Sequence, residues 1–325
     1  MNQPSDSASP VLPKPIHARA LVVGGGTMGA DVALVLARAG CSTVVLEPGQ
    51  ARREALAACF DAGLEQLGAS RKRDRLSACA SLDEVDWAGI DLVVECIPEQ
   101  LAPKQALFAE LERRARPDAL LTSNSSSFPI SAIGDGLDSA HRMLGLHFFM
   151  PAHLVPLVEV VLGARSSAAL AAALSRFMRA CGMVPVLVKK DMPGFLANRL
   201  QHALAREAFA LIDAGVATPE DVDAAVRFGF GFRFLAAGPV LQRDHAGIDV
   251  HCPAAATMYP SLAANTAPAR VLAERYAVGK FGMKSGEGFY SWTPASIAAE
   301  RARYDGLLIA GLRLLAPELP PIDDQ

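Results

Sequence analysis

The stretch Ala20-Leu-Val-Val-Gly-Gly-Gly-Thr-Met-Gly29 constrains this chain more than any other part of it. A short β-branched run that ends on glycines and passes at once into a helical pattern reads as strand, tight turn and helix start. The glycines fit G-x-G-x-x-G. Gly24 permits the turn, Gly26 leaves bare backbone for a ligand to approach, and Gly29 lets the helix pack closely on the strand. The helix start, with Thr27 and Met28 in its first turn, then presents free N–H groups to an anion. A helix follows from about Met28 to Ala39, with Gly40 placed for a left-handed cap. The next strand, Thr43-Val-Val-Leu-Glu47, ends on a carboxylate 18 residues after Gly29, where it can accept hydrogen bonds from ribose hydroxyls. Alone the glycine signature says little. In this frame it predicts a dinucleotide site built from Gly24, Gly26, Thr27, Met28, Gly29 and Glu47. A carboxylate there repels a 2′-phosphate, so the expected cofactor is NAD, with Arg52 and Arg53 read as solvated charges on the following helix.

The alternation continues. A helix is expected over 51–67, and strands at Asp91–Cys96, Ala119–Ser123, Met143–His147 and Leu157–Val161. Strands alternating with helices call for a mainly parallel sheet covered on both faces. After Lys189-Lys-Asp-Met-Pro193-Gly194 the pattern turns helical, from Phe195 to Ala214, from a start at Thr218-Pro219, and from about Ile297 to Leu315. The predicted fold is therefore α/β, a Rossmann-type doubly wound mainly parallel sheet followed by a smaller all-α C-terminal domain. Its expected limits are a flexible leader at 1–17, a dinucleotide-binding domain at 18–190 and a helical substrate and dimerisation domain at 191–325.

Composition narrows the function classes. Of 325 residues, 51% are hydrophobic and 20% charged, with a net charge of −3, which suits a large packed core and argues against general nucleic-acid or anionic-membrane binding. No apolar run reaches membrane-spanning length. The six cysteines form no CxxC pair, and Cys59, Cys96 and Cys181 fall in apolar surroundings, so disulfides and zinc are disfavoured and a reducing cytoplasm is expected.

His147 ends one strand pattern and Glu159 lies twelve residues on in another. An imidazole with a carboxylate partner can act as general base near neutral pH, although a strand-end histidine is more often an ordinary hydrogen-bonded residue. A metal site from His147, His153 and Glu159 fits no familiar ligand spacing. The chain, however, resembles the 3-hydroxyacyl-CoA dehydrogenase family from Ala20 to Trp292. The resemblance rests on Gly24–Gly29, Val94-Glu-Cys-Ile-Pro-Glu99, Ser123-Asn-Ser-Ser-Ser127, Gly145-Leu-His-Phe-Phe149, Leu157-Val-Glu-Val160, Asp191–Arg199 and Gly282–Tyr290, in that order.

The resemblance implies that His147 is the catalytic base, Glu159 its orienting partner, and Ser126 a hydrogen-bond partner of the substrate oxygen close to the cofactor. It implies that Asn198 positions the reacting group and that Glu99, Lys104, Ser126 and Lys284 contact the dinucleotide. It further implies NAD-dependent oxidation of a short-chain L-3-hydroxyacyl-CoA, a place in fatty acid metabolism, and a homodimer formed through the helical domain. Three features depart from the family pattern. Met150 replaces an asparagine, and Gly63 and Ser70 stand where relatives present serine and lysine to coenzyme A. Phe228-Gly-Phe-Gly-Phe-Arg-Phe234 replaces a glycine-proline loop, and packing is its expected role. These departures keep open a dehydrogenase of free hydroxy acids, similar to the L-carnitine and L-gulonate enzymes, and a non-catalytic protein similar to lambda-crystallin.

Overall fold

In the computed structural model, residues 12–323 are described. They form two compact units. One takes the described residues up to Asn198 together with those from Pro317 onward, and the other is Arg199–Ala316.

The first unit is a sheet of eight strands: β1 (Arg19–Val23), β2 (Ser42–Leu46), β3 (Leu76–Cys79), β4 (Leu92–Glu95), β5 (Leu120–Ser123), β6 (Met143–Phe148), β7 (Leu157–Leu162) and β8 (Val184–Val188). They lie in the order β3-β2-β1-β4-β5-β6-β7-β8. Every pairing is parallel except β6 with β7, which is antiparallel. The strand order reverses around β1, the place where doubly wound sheets open a crevice for ligands. β3 contains no β-branched residue and gives no strand signal in the sequence. β8 carries Pro185, which an edge strand tolerates because one side of its backbone is unpaired.

Helices α1 (Thr27–Arg38), α2 (Gln50–Gln66), α3 (Leu101–Arg114), α4 (Ile130–Ile133) and α5 (Ala168–Ala180) cover the sheet. Side chains alternate along β1, so Ala20 and Val22 join one core with Leu36, Phe60 and Phe177, while Leu21 and Val23 join another with Phe108, Leu111 and Ile133. Each fully buried aliphatic or phenyl side chain contributes about 1.5–3 kcal/mol. Gly40 has φ +93°, the expected left-handed conformation after α1.

The unit differs from expectation at both limits. Residues 1–11 of the expected leader lie outside the described residues. Residues 12–17 do not form a leader: Leu12 packs against the core, Pro15 is buried and Lys14 pairs with Asp323. Beyond residue 190, Phe195 enters the core with α3 and α4. The chain end returns as well, with Ile322 bridged to Cys181 and the Asp323 N–H donating to Ala180.

The second unit is helical. α6 (Ala197–Asp213) leads into it, and α7 (Pro219–Ala224) starts with a reciprocal cap between Thr218 and Asp221. Helices follow at Leu241–Ala246, Ile248–Met258, Arg270–Ala277 and Pro294–Leu315. Phe228, Phe232 and Phe234 are exposed instead of packed, and Cys59 is exposed instead of lying in apolar surroundings. Among the described residues no helix is long and apolar enough to cross a membrane.

Candidate active site

The antiparallel pairing of β6 and β7 sets His147 directly opposite Glu159. Cross-strand neighbours on one face meet at side-chain contact distance, and here His147 Nδ1 lies 2.8 Å from Glu159 Oε2. Both residues are buried, at 2% and 0% exposure. The other Glu159 oxygen accepts the Leu196 N–H at 3.1 Å and the Ala197 N–H at 2.8 Å. Burial works to raise the Glu159 carboxyl, but the hydrogen bond from His147, the two backbone donors and the attraction of that imidazole whenever it is protonated outweigh it and hold it below its ordinary value. The segment that delivers those donors turns at Phe195, whose φ of +47° is the only positive φ of a non-glycine among the described residues. That strained conformation persists because the phenyl ring is locked in the core, against the His147 ring at 5.6 Å.

A carboxylate only accepts, so the neutral imidazole carries its proton on Nδ1 and turns the Nε2 lone pair the other way. There it meets Ser126 Oγ at 3.0 Å. Ser126 belongs to the loop after β5, and that loop is held by Glu99. Glu99 Oε1 accepts from Ser125 Oγ (2.6 Å), Ser126 N–H (3.1 Å), Ser127 N–H (2.9 Å) and Ser127 Oγ (2.8 Å). Burial pushes the Glu99 carboxyl up, yet the Ser125 and Ser127 hydrogen bonds and the Lys104 charge bring it down to about 2. Lys104, expected to contact a dinucleotide, is 1% exposed and directs its ammonium to Glu95 Oε1 at 2.6 Å, Ile97 O at 3.2 Å and Glu99 Oε2 at 3.2 Å. Two of its hydrogens are accepted by Glu95 Oε1 and Ile97 O, and its charge also pairs with Glu99, so the ammonium is engaged within the protein.

The glycine turn sits at the carboxyl ends of β1 and β4. Gly24 has φ +107°, and a Cβ there would lie 2.8 Å from Cys96 O. At Gly29 a Cβ would lie 1.8 Å from Gly24 O, whereas at Gly26 it would meet nothing within 4 Å. Gly24 and Gly29 are therefore glycines for packing, and Gly26 faces open space beside the first turn of α1, where Thr27 and Met28 stand. Glu47, at the end of β2, accepts from Gly25 N–H at 3.0 Å and Gly49 N–H at 2.9 Å. It braces the turn; Oε2 also accepts from Arg52 Nη1 at 3.5 Å, and the second lone pair of Oε1 suits a ribose hydroxyl. Arg52 is exposed but makes that contact to Glu47, and half-buried Arg53 donates to Glu47 O and Pro48 O, so both engage the end of β2 and are not purely solvated charges. Bare backbone, a helix start and a carboxylate are what an NAD site requires.

A cleft of roughly 770 Å³ runs between α1 and α2, lined by Gly26, Asp31, Leu34, Arg52, Cys59, Gly63 and His153, among others. Asp31 accepts the Ala152 N–H and lies 3.0 Å from His153 Nδ1, while His153 Nε2 meets Gln66. Gly63 is buried where a Cβ would lie 2.3 Å from Leu34 Cδ1. Among the described residues no cluster of three or more His, Cys, Asp or Glu side chains is arranged to hold a metal. Burial pushes the Cys41 thiol up to about 12 and raises Cys96 and Cys181, so none of these is an activated nucleophile.

The structure thus joins Ser126, His147 and Glu159 in one hydrogen-bonded chain and places Asn198 directly after Ala197, half-buried at the start of α6. Lys284 lies exposed on a turn of the second unit. The sequence reading assigned no role to Glu95, Ser123 or Asn124. Glu95 was nonetheless detectable, since a charge closing the apolar run Leu92-Val-Val calls for a buried partner.

Comparison with known proteins agrees with this architecture. The family model described as 3-hydroxyacyl-CoA dehydrogenase, NAD binding domain, matches residues 19–192, and its C-terminal domain model matches residues 194–292. The chain is 32% identical over 299 residues to the 5-formyl-3-hydroxy-2-methylpyridine 4-carboxylate 5-dehydrogenase of Mesorhizobium japonicum, covering 90% of this chain and 97% of that one. A solved structure of a dehydrogenase of that name, described as an NAD⁺-dependent dismutase, superposes with a TM-score of 0.86 at 31% identity, over 92% of this chain and 98% of that one. The (S)-3-hydroxybutyryl-CoA dehydrogenase of Ralstonia eutropha superposes with a TM-score of 0.69 at 27% identity, over 85% and 99%.

Proposed function

Because this chain belongs to the 3-hydroxyacyl-CoA dehydrogenase family, we propose that it oxidises a substrate alcohol with His147 as general base and Glu159 as the partner that orients it. The observation carrying this reading is the unbroken chain from Ser126 Oγ through His147 to Glu159 and its two backbone donors. The turn Gly24–Gly29 and Glu47 hold the cofactor. Bound NAD supplies a hydride acceptor.

His147 Nε2 takes the hydroxyl proton, and the Glu159 carboxylate stabilises the imidazolium that forms. Ser126 Oγ holds the substrate oxygen in line with Nε2, and Asn198 steadies the reacting group. In reverse, the imidazolium returns its proton to the developing alkoxide. Exclusion of water by Phe149 and Phe195, which pack edge-on to the imidazole, strengthens each of these interactions.

For the substrate we favour a small free carboxylate over an acyl-CoA. The fold follows that of the pyridine carboxylate dehydrogenase more closely, with a TM-score of 0.86, than that of the (S)-3-hydroxybutyryl-CoA dehydrogenase, with 0.69. On α2 the cleft is lined by Ala55, Leu56, Cys59, Ala62 and buried Gly63, with Arg52 as its one lining cation. The second reading, a short-chain (S)-3-hydroxyacyl-CoA, is supported by the family itself and by the basic run Arg71-Lys72-Arg73 beyond α2.

NADH formation measured with 5-formyl-3-hydroxy-2-methylpyridine 4-carboxylate, whose hydrated aldehyde supplies the hydroxyl that His147 deprotonates, and with L-carnitine, L-gulonate, free 3-hydroxybutyrate and (S)-3-hydroxybutyryl-CoA tests the choice. A free acid turned over at least tenfold more efficiently than the thioester is expected. Preference for the thioester overturns the substrate class and leaves the redox chemistry standing. Tight NADH binding with no turnover would favour the crystallin-like role. We also assign the protein to the cytoplasm, where its cysteines stay reduced, and to a homodimer. Exposed Phe228, Phe232, Val240, Ile248 and Val250 on the second unit support that assembly, which sedimentation would reveal.

A further inference from the structure

Glu95 ends β4, the central strand next to β1, and is completely buried. A carboxylate in that position demands full compensation, and apolar residues of the same volume would often serve stability as well. Its partners therefore indicate what the charge is for. Glu95 Oε2 accepts from Ser123 Oγ at 2.6 Å, and Ser123 Oγ in turn accepts the Ser125 N–H at 3.1 Å. Glu95 Oε1 accepts from the Ile97 N–H at 2.7 Å and from Lys104 Nζ at 2.6 Å. Lys104 holds Glu99, and Glu99 gathers Ser125, Ser126 and Ser127. Two arms thus leave one carboxylate and converge on the same three-residue loop. That loop carries Ser126 Oγ to 3.0 Å from His147 Nε2.

We propose that Glu95 is a positioning residue for proton transfer, fixing the Ser126 hydroxyl against His147 through Ser123 on one side and through Lys104 and Glu99 on the other. It touches neither reacting atom. Coupled hydrogen bonds of this kind are stiff because each polarises the next, and a displacement of about 1 Å at the reacting group is enough to slow a reaction by as much as a hundredfold. The inference rests on the reading of Ser126 and His147 as the reacting pair.

The test compares Glu95→Gln, Lys104→Met, the double variant and the uncharged Ser123→Ala with wild type, reading kcat, the KM for NAD and the melting temperature. Glu95→Gln is expected to lower kcat at least about tenfold with the KM for NAD within about twofold. The double variant removes both buried charges, so its melting temperature should recover toward wild type while kcat stays low. Ser123→Ala cuts one arm without stranding a charge and should lower kcat by about three- to tenfold in a folded protein. Unchanged kcat in folded Glu95→Gln or Ser123→Ala overturns the proposal, as does kcat recovering together with stability in the double variant. If Glu95→Gln fails to fold, Ser123→Ala and the double variant decide. His147→Ala separates the two levels: if it remains active the proton-transfer reading itself falls, and if it is inactive while the Glu95 series is unaffected only the positioning role falls.

Discussion

Replacing Glu159 with glutamine keeps the volume and removes the charge behind the imidazole. The side-chain oxygen remains the acceptor for the Leu196 and Ala197 N–H groups, which an amide nitrogen cannot serve. The amide nitrogen then faces His147 Nδ1 across the 2.8 Å contact, donor against donor, so the ring must move its proton to Nε2. Nε2 faces Ser126, and once protonated it no longer accepts a proton from a substrate hydroxyl. Loss of a hydrogen bond to a charged partner costs about 1.5–3 kcal/mol, or roughly ten- to 150-fold in rate. The wrong tautomer extends the loss toward about 10⁴-fold. Stopped-flow and steady-state NADH formation should therefore show kcat reduced by about 10²–10⁴, with NADH affinity by fluorescence within about twofold of wild type. A folded Glu159→Gln protein with kcat within threefold of wild type would refute the reasoning.

The glycine turn offers a separation of fold from function. Gly26 has an extended backbone (φ −70°, ψ −176°) and no neighbour for a Cβ, so Gly26→Ala should melt with wild type yet raise the KM for NAD about tenfold or more. Gly29→Ala drives a Cβ into Gly24 O and should lower the melting temperature measurably, which calorimetry would show. Acid stability follows from Glu99, whose carboxyl is held at about 2 against an ordinary 4.5. A depressed value favours the folded state, so this contribution is complete above about pH 4.5 and disappears as pH falls toward 2. With a third of the side chain exposed, solvent screening reduces it to the order of 1–2 kcal/mol, and Glu99→Gln should flatten the denaturation midpoint across that interval.

The sequence carries the nucleotide-binding half of this fold because its signals are local. The β-branched runs, the glycine turn and Glu47 all lie within one strand-helix-strand unit, and their positions in the structure follow the reading to within a residue or two. The pairing of His147 with Glu159 was not local. It depends on β7 reversing direction against β6, which no spacing rule dictates, and family resemblance supplied the link. β3 escaped because Leu76-Ser-Ala-Cys79 has no strand-forming residue, being held in place by β2. Residues 12–17 depart from the expected leader: prolines suggest loose chain, while here Pro15 is buried and Leu12 packs against the core. The triple role of Lys104 was hidden for a different reason: in sequence a buried lysine and a solvated one look alike, and only the placement of Glu95 and Glu99 distinguishes them.

The central claim is that His147 moves the proton during oxidation by NAD. The measurement that tests it most directly is kcat for NADH formation by His147→Ala, taken beside NADH affinity on the same preparation. Turnover at least about a hundredfold below wild type with cofactor binding preserved is the expected result. Wild-type turnover in that variant would contradict the account.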